Sequence, residues 1–156
     1  MRRLLPLVVI LAGCTGPDLT VDPRIVPGTG ETEFEVLTEG INELPMVNGV
    51  QGGTHVWGAV RAIGLDWTEL LVRWELTDAD GAQVTEPTNI LQSLQTCPTR
   101  IEGCEPGMGE VVAVTLVLES PGTLVNDELT LTVTATDPDG RTATEERQIR
   151  PVYSSE

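Results

Sequence analysis

The sequence predicts an all-β domain of about seven strands, arranged as two packed antiparallel sheets. Three observations carry this reading: apolar residues recur at a period of two, Asp- and Gly-bearing turns separate the alternating runs, and no helical period is sustained. A parallel sheet would need crossover helices between its strands, and no stretch of the chain reads as a series of them.

Residues 34–37 read as a short first strand, and residues 54–63 as a second one after the Gly52-Gly53 break. Leu70, Val72, Trp74 and Leu76 alternate with Leu71, Arg73, Glu75 and Thr77, so the first set faces the interior and most of the second faces water. Asp78-Ala79-Asp80-Gly81 then turns the chain into a strand over residues 82–85. Residues 89–95 are the place where a helical turn is expected. Within 110–119, Val112, Val114, Leu116 and Leu118 form the inward set, which Ser120-Pro121-Gly122 ends. Leu129, Leu131, Val133 and Ala135 alternate with Thr130, Thr132, Thr134 and Thr136, whose branched Cβ atoms suit a pleated, half-exposed surface. Asp137-Pro138-Asp139-Gly140 closes a hairpin whose return strand runs over 141–149, with Pro151 marking its end.

The first 32 residues have a different character. Arg2 and Arg3 precede an apolar run over 4–11, the layout of a secretory signal. The run is too short for a transmembrane helix, which takes about 20 apolar residues. Leu11-Ala12-Gly13-Cys14 resembles the lipobox of bacterial lipoproteins. That resemblance implies a signal peptide over 1–13, acylation of Cys14 and attachment to a lipid bilayer through it. Because Thr15 and not Asp follows Cys14, the family's sorting logic implies the outer membrane, facing periplasm or cell surface. Residues 14–32, with Pro17, Pro23 and Pro27 and no hydrophobic period, read as a flexible tether. At about 3 Å per extended residue it would hold the domain up to roughly 55 Å from the lipid.

Over 33–152, the order of strands resembles an immunoglobulin-like antiparallel β-sandwich of bacterial surface proteins, leaving 153–156 as a tail. Trp74 in the third strand and the late hairpin Thr-Val-Thr-Ala-Thr-Asp-Pro-Asp-Gly carry that resemblance. It implies a fold and says nothing of a ligand, because such sandwiches host many unrelated functions.

Composition removes several function classes. The chain holds 24 acidic residues and nine basic ones, all Arg, and loss of 1–13 would take two Arg and no acid, leaving a formal charge of −17. Nucleic acid and anionic headgroups are poor partners for such a surface. Without Lys, Schiff-base chemistry and a phosphate-loop Lys are excluded.

Cys97 and Cys104 lie in a Pro- and Gly-rich loop over 96–109, and in an oxidising envelope they are expected to form a disulfide. Two Cys alone leave a tetrahedral zinc two ligands short. A loop stapled in this way would offer Arg100, Glu102 and Glu105 as a recognition surface. His55 is the only His, close to Trp57, and no Ser occupies a Gly-flanked elbow, so a Ser-His triad is not expected. His55 reads first as a strand residue on a solvated or half-buried face. Trp57 and Trp67 are the rings available as exposed platforms for a sugar. Asp78, Asp80, Asp137 and Asp139 are calcium candidates, although each pair also serves its own turn and falls short of the six to eight oxygens the ion takes.

No cofactor is expected. The sequence is read as a non-catalytic, membrane-anchored lipoprotein whose domain binds or supports another envelope protein or a surface polymer. The competing readings are a glycan-acting enzyme or accessory subunit with a carboxylate pair, and a calcium-dependent adhesion module.

Overall fold

The computed structural model describes residues 16–49 and 53–154. Its strands are β1 (Arg24–Thr29), β2 (Glu35–Val36), β3 (Asn42–Asn48), β4 (Thr54–Ile63), β5 (Leu70–Thr77), β6 (Thr88–Gln92), β7 (Gln95–Thr96), β8 (Gly109–Leu118), β9 (Leu129–Thr136) and β10 (Thr142–Tyr153), with one helical turn, α1 (Pro121–Leu124). Among the described residues the domain is all-β, with ten strands where about seven were expected.

Two of the additional strands, β1 and β3, are ones that proline hid. β1 lies inside the stretch read as a tether, yet it pairs antiparallel with β4 from Arg24↔Ile63 to Gly28↔Ala59 and buries Ile25 and Pro27. Pro is tolerated in strands where no ladder donor is required, so Pro23 and Pro27 did not mark an unstructured segment. β3 carries the same disguise: Pro45 interrupts its pattern, while Leu44 and Met46 on either side are buried. The helical turn expected over 89–95 is instead the antiparallel strand β6, paired with β5 from Leu70↔Gln92 to Trp74↔Thr88. A helical turn forms at α1, where Pro121 supplies a preset φ and its carbonyl accepts the Val125 N–H at 3.0 Å. Residues 82–85 reach β5 through one bridge, Thr77↔Gln83, and do not make a strand.

The strands form one curled, mixed sheet in the order β2-β1-β4-β3-β10-β9-β5-β6, with β8 on the free edge of β4 and β7 beyond it. β1 and β3 share the other edge of β4, β3 meeting its start (Asn48↔Thr54) and β1 its end. The expectation of purely antiparallel pairing fails at one place. β3 runs parallel to β10 from Asn42↔Ile149 to Met46↔Tyr153, and most of the other strands intervene in place of a crossover helix.

Leu70, Val72, Trp74 and Leu76 of β5 and Leu129, Leu131, Val133 and Ala135 of β9 share one core with Val56 and Val60 of β4. β8 joins them with a change of phase. Val112 and Ala113 together stand opposite Ala59, between the pairs Gly58↔Val114 and Val60↔Val111, and Ala113 takes φ 59°. This bulge puts Val111, and not Val112, against the core, so the inward set expected for β8 is right only from Val114 onward.

One pole of the sheet gathers the end of β4, the starts of β5, β8 and β10, and the end of β9, as the pairs Ala62↔Gly109, Leu71↔Thr136 and Thr142↔Thr136 require. The chain before β1 is docked there. Arg141 donates from its two terminal nitrogens to the carbonyls of Leu19 (3.2 Å) and Val21 (3.0 Å). Gly64, at φ +73°, leaves room for this segment, since a Cβ there would stand 2.5 Å from the Asp22 carbonyl oxygen.

Candidate functional site

The most elaborated part of this pole is the loop between β7 and β8. Cys97 and Cys104 are joined by a disulfide, with their Cα atoms 5.6 Å apart. Tight turns fill the space between them: Ile101 N–H donates to Pro98 O (2.8 Å) and Cys104 N–H to Ile101 O (3.1 Å). Cys97 and Met108 are buried with Ile63 in a small second core, against which Cys104 packs. Trp67 supports the loop from below. Its indole N–H donates to Gly107 O at 2.8 Å, and its ring lies where a Cβ on Gly109 would be, 2.6 Å away.

Arg61 is the centre of the arrangement. It lies on β4 on the side away from the main core, yet only 6% of it is exposed. Its Nε donates to Glu110 Oε2 at 2.6 Å, its Nη1 donates to Glu102 O at 2.9 Å, and its guanidinium lies 4.1 Å from the Phe34 ring centroid. Burying a guanidinium is costly unless its donors and charge are met, and here a carboxylate, a carbonyl and a ring face meet them. Arg61 therefore ties the loop, β8 and the segment before β2 onto β4. A second ion pair, Arg24 with Glu105, closes the loop's outer side. β4 is covered on both faces as a result, which is why its residues from Gly58 to Ile63 are all buried.

The sequence singled out other residues, and the fold separates them. Trp67 is 5% exposed and acts as a strut, so it offers no platform to a ligand. His55 is buried, where a solvated or half-buried position was expected; its Nε2 has no hydrogen-bond partner and its ring meets Trp57 edge-on, centroids 4.5 Å apart. Trp57 is half-buried, and its carbonyl accepts the Thr29 hydroxyl at 2.7 Å. Arg100 is exposed on the stapled loop. His55 and the end of β4 are eight residues apart, about 26 Å along a strand, so these four residues do not form one surface.

The two Asp-rich turns lie at opposite ends of the β5/β9 ladder, since Thr77 pairs with Thr130 and Leu71 with Thr136. Six residue steps separate them, about 20 Å, and they share no ion. Asp78 Oδ1 accepts the N–H groups of Asp80 (3.0 Å) and Ala82 (2.9 Å). Buried Asp137 accepts Arg141 N–H (2.8 Å) through one oxygen and Asp66 N–H (3.2 Å) through the other. Both side chains thus cap turns, with Asp137 also tying the β4/β5 connection to the last hairpin. Asp80 and Asp139 are exposed at the tips.

Cys97, Cys104 and Glu110 bring one sulfur or oxygen atom each within 4.8 Å of one another. Disulfide sulfurs offer no thiolate and Glu110 is engaged by Arg61, so this cluster is a structural joint. Two open clefts lie at the far pole. One, of about 570 Å³, is lined by Met46, Asn48, Thr54, Pro121, Tyr153 and neighbours, with no carboxylate side chain among the described residues that line it. The other, of about 430 Å³, includes Asp78, Asp80, Asp127 and Glu128. Of these, Asp78 caps its turn and Glu128 pairs with Arg150 at 2.7 Å.

The Arg61 clamp was not singled out from sequence. Its signal was a single charged residue inside the otherwise apolar run from Val56 to Ile63. Cys14, the residue expected to be acylated, lies outside the described residues. No family model and no curated protein matches the chain.

Proposed function

We propose that this chain is an exported lipoprotein, anchored in the envelope through acylated Cys14, whose domain is a non-catalytic binding or structural module. The observation that carries the reading is the leader Leu11-Ala12-Gly13-Cys14 behind a short apolar run with two Arg before it. The Cys97–Cys104 disulfide supports an oxidising compartment, and the outer membrane is the proposed destination. The buried cation, the capped turns and the indole strut all engage the domain's own groups, which favours a scaffold over a reaction centre.

We further read the domain as an immunoglobulin-like β-sandwich. The pairings β4/β8, β5/β9 and β9/β10, the strand β3 linking the β4 wall to β10, and buried Trp74 support this arrangement. The partner would be another envelope protein or a surface polymer. The experiment is intact mass and detergent partitioning of the chain purified from membranes, beside Cys14→Ser. Acyl mass and detergent partitioning that depend on Cys14 are expected; an unmodified, water-soluble wild type overturns the reading.

A further inference from the structure

We propose that the pole bearing the stapled loop is the membrane-facing end of the domain, seated on the lipid headgroups, so that the opposite pole with its open clefts is presented outward. This rests on the lipoprotein reading and replaces the expectation of a long free tether. Three observations carry it.

The first is the reach of the chain. Asp18 is four residues after Cys14, and four residues extend at most about 14 Å. Beyond Asp18 the segment is fixed to this pole. Arg141 holds the Leu19 and Val21 carbonyls, Gly64 leaves space for Val21 and Asp22, and a Cβ on Gly107 of the stapled loop would fall 2.5 Å from the Asp18 side chain. A bilayer holding the acyl chains of Cys14 therefore lies next to this pole and no other.

The second is where apolar side chains remain in water. Among the described residues nine large hydrophobic side chains are exposed, and five of them, Leu19, Val21, Leu71, Leu91 and Ile101, lie at or beside this pole. Leu71 and Leu91 are cross-strand partners beside the end of β9, and Ile101 stands next to exposed Arg100 on the loop. Apolar groups flanked by a cation suit the boundary between headgroups and acyl chains.

The third is the direction of the far end. Tyr153 pairs with Met46, and Thr54 pairs with both Asn48 and Leu118, which places the larger cleft at the pole farthest from Asp18. The acids of the near pole, among them Asp18, Asp22, Glu102 and Glu105, set the headgroup preference: zwitterionic surfaces are accepted and anionic ones repel.

The test uses the full chain, purified as the lipoprotein and placed in phosphatidylcholine nanodiscs doped with a gadolinium-chelating lipid. Amide signals of Leu19, Ile101 and Gly140 are expected to broaden several-fold more than those of Gly81, Gly122 and Tyr153. Arg141→Ala, which frees the docked segment, is expected to remove most of that difference while the Val72 and Val133 amides keep their shifts. Equal broadening at both poles of the wild type, or greater broadening at Tyr153, overturns the orientation whatever the variant does. The mass of the same sample separates the two ideas. A chain without acyl groups on Cys14 overturns the lipoprotein reading and the orientation with it, whereas an acylated chain without the broadening difference overturns the orientation alone.

Discussion

Replacing Arg61 by Ala removes the one cation that satisfies Glu110, Glu102 O and the Phe34 ring together. Deleting one partner of a buried ion pair costs about 3–5 kcal/mol, mostly because the other charge is left unpaired in a poor solvent. The Glu110 side chain is 21% exposed, so water recovers part of that loss and a cost of ~3 kcal/mol is expected. For a domain of this size, about 3 °C per kcal/mol translates this into a fall of roughly 10 °C in Tm. Circular dichroism melts and urea titrations with the disulfide intact provide the measurement. Arg61→Met tests the same account while keeping an apolar stem, and it should still cost more than about 1 kcal/mol because Glu110 loses its hydrogen-bond donor. In a double-mutant cycle of Arg61→Met with Glu110→Gln, a coupling of about 1–3 kcal/mol is expected. Additive effects, or an Arg61→Ala variant as stable as the wild type, would refute the clamp.

Three further perturbations follow from the same geometry. Cys97→Ser with Cys104→Ser opens a loop of sequence separation 7; the chain-entropy account expects a loss of about 2.5 kcal/mol, read as a lower urea midpoint. Trp67→Phe keeps the packing on Gly109 and leaves Gly107 O without its indole donor, for an expected cost of about 1–2 kcal/mol in urea titration. Arg73 donates a hydrogen bond to Glu75 and holds its carboxyl below the ordinary value of 4.5. A depressed carboxylate contributes stability that is present above its unfolded pKa and lost as pH falls through the folded one. Glu75→Gln should therefore be slightly less stable than wild type at pH 7, and the two should converge in melts run at progressively lower pH below 4.5.

Where one side chain in two faces the core, the sequence was a reliable guide. Leu129 to Ala135 and Leu70 to Leu76 are buried in the alternation their spacing implied, and both Asp-Gly turns stand where they were expected. The reading failed where a second constraint acted on the same residues. Pro27 and Pro45 sit within paired strands, so the breaker signal outweighed the flanking apolar residues. In β8, Ala113 at positive φ inserts an extra residue, which shifts the phase of the pattern without leaving a Gly to announce it. β6 is short and ends near Ser93, and a run such as Asn-Ile-Leu-Gln suits a helix or a strand until its pairing with β5 is known. For the site, the disulfide was legible from two cysteines in one loop, but the roles of Arg61 and Trp67 were not. Their partners lie 49 and 40 residues away, a separation that local pattern does not encode.

The parallel pair of β3 and β10 ties one of the earliest strands to the last. Until Ile149 to Tyr153 are available, Leu44 and Met46 have no ladder along that side, and the two walls of the sheet lack their seam. Closure of this seam over such a long stretch of chain is slow compared with local hairpins, because the loop entropy is lost before any contact compensates for it. A chain emerging from its amino end would thus stay pliable along β3 until β10 had followed, and would lock only when those two strands met.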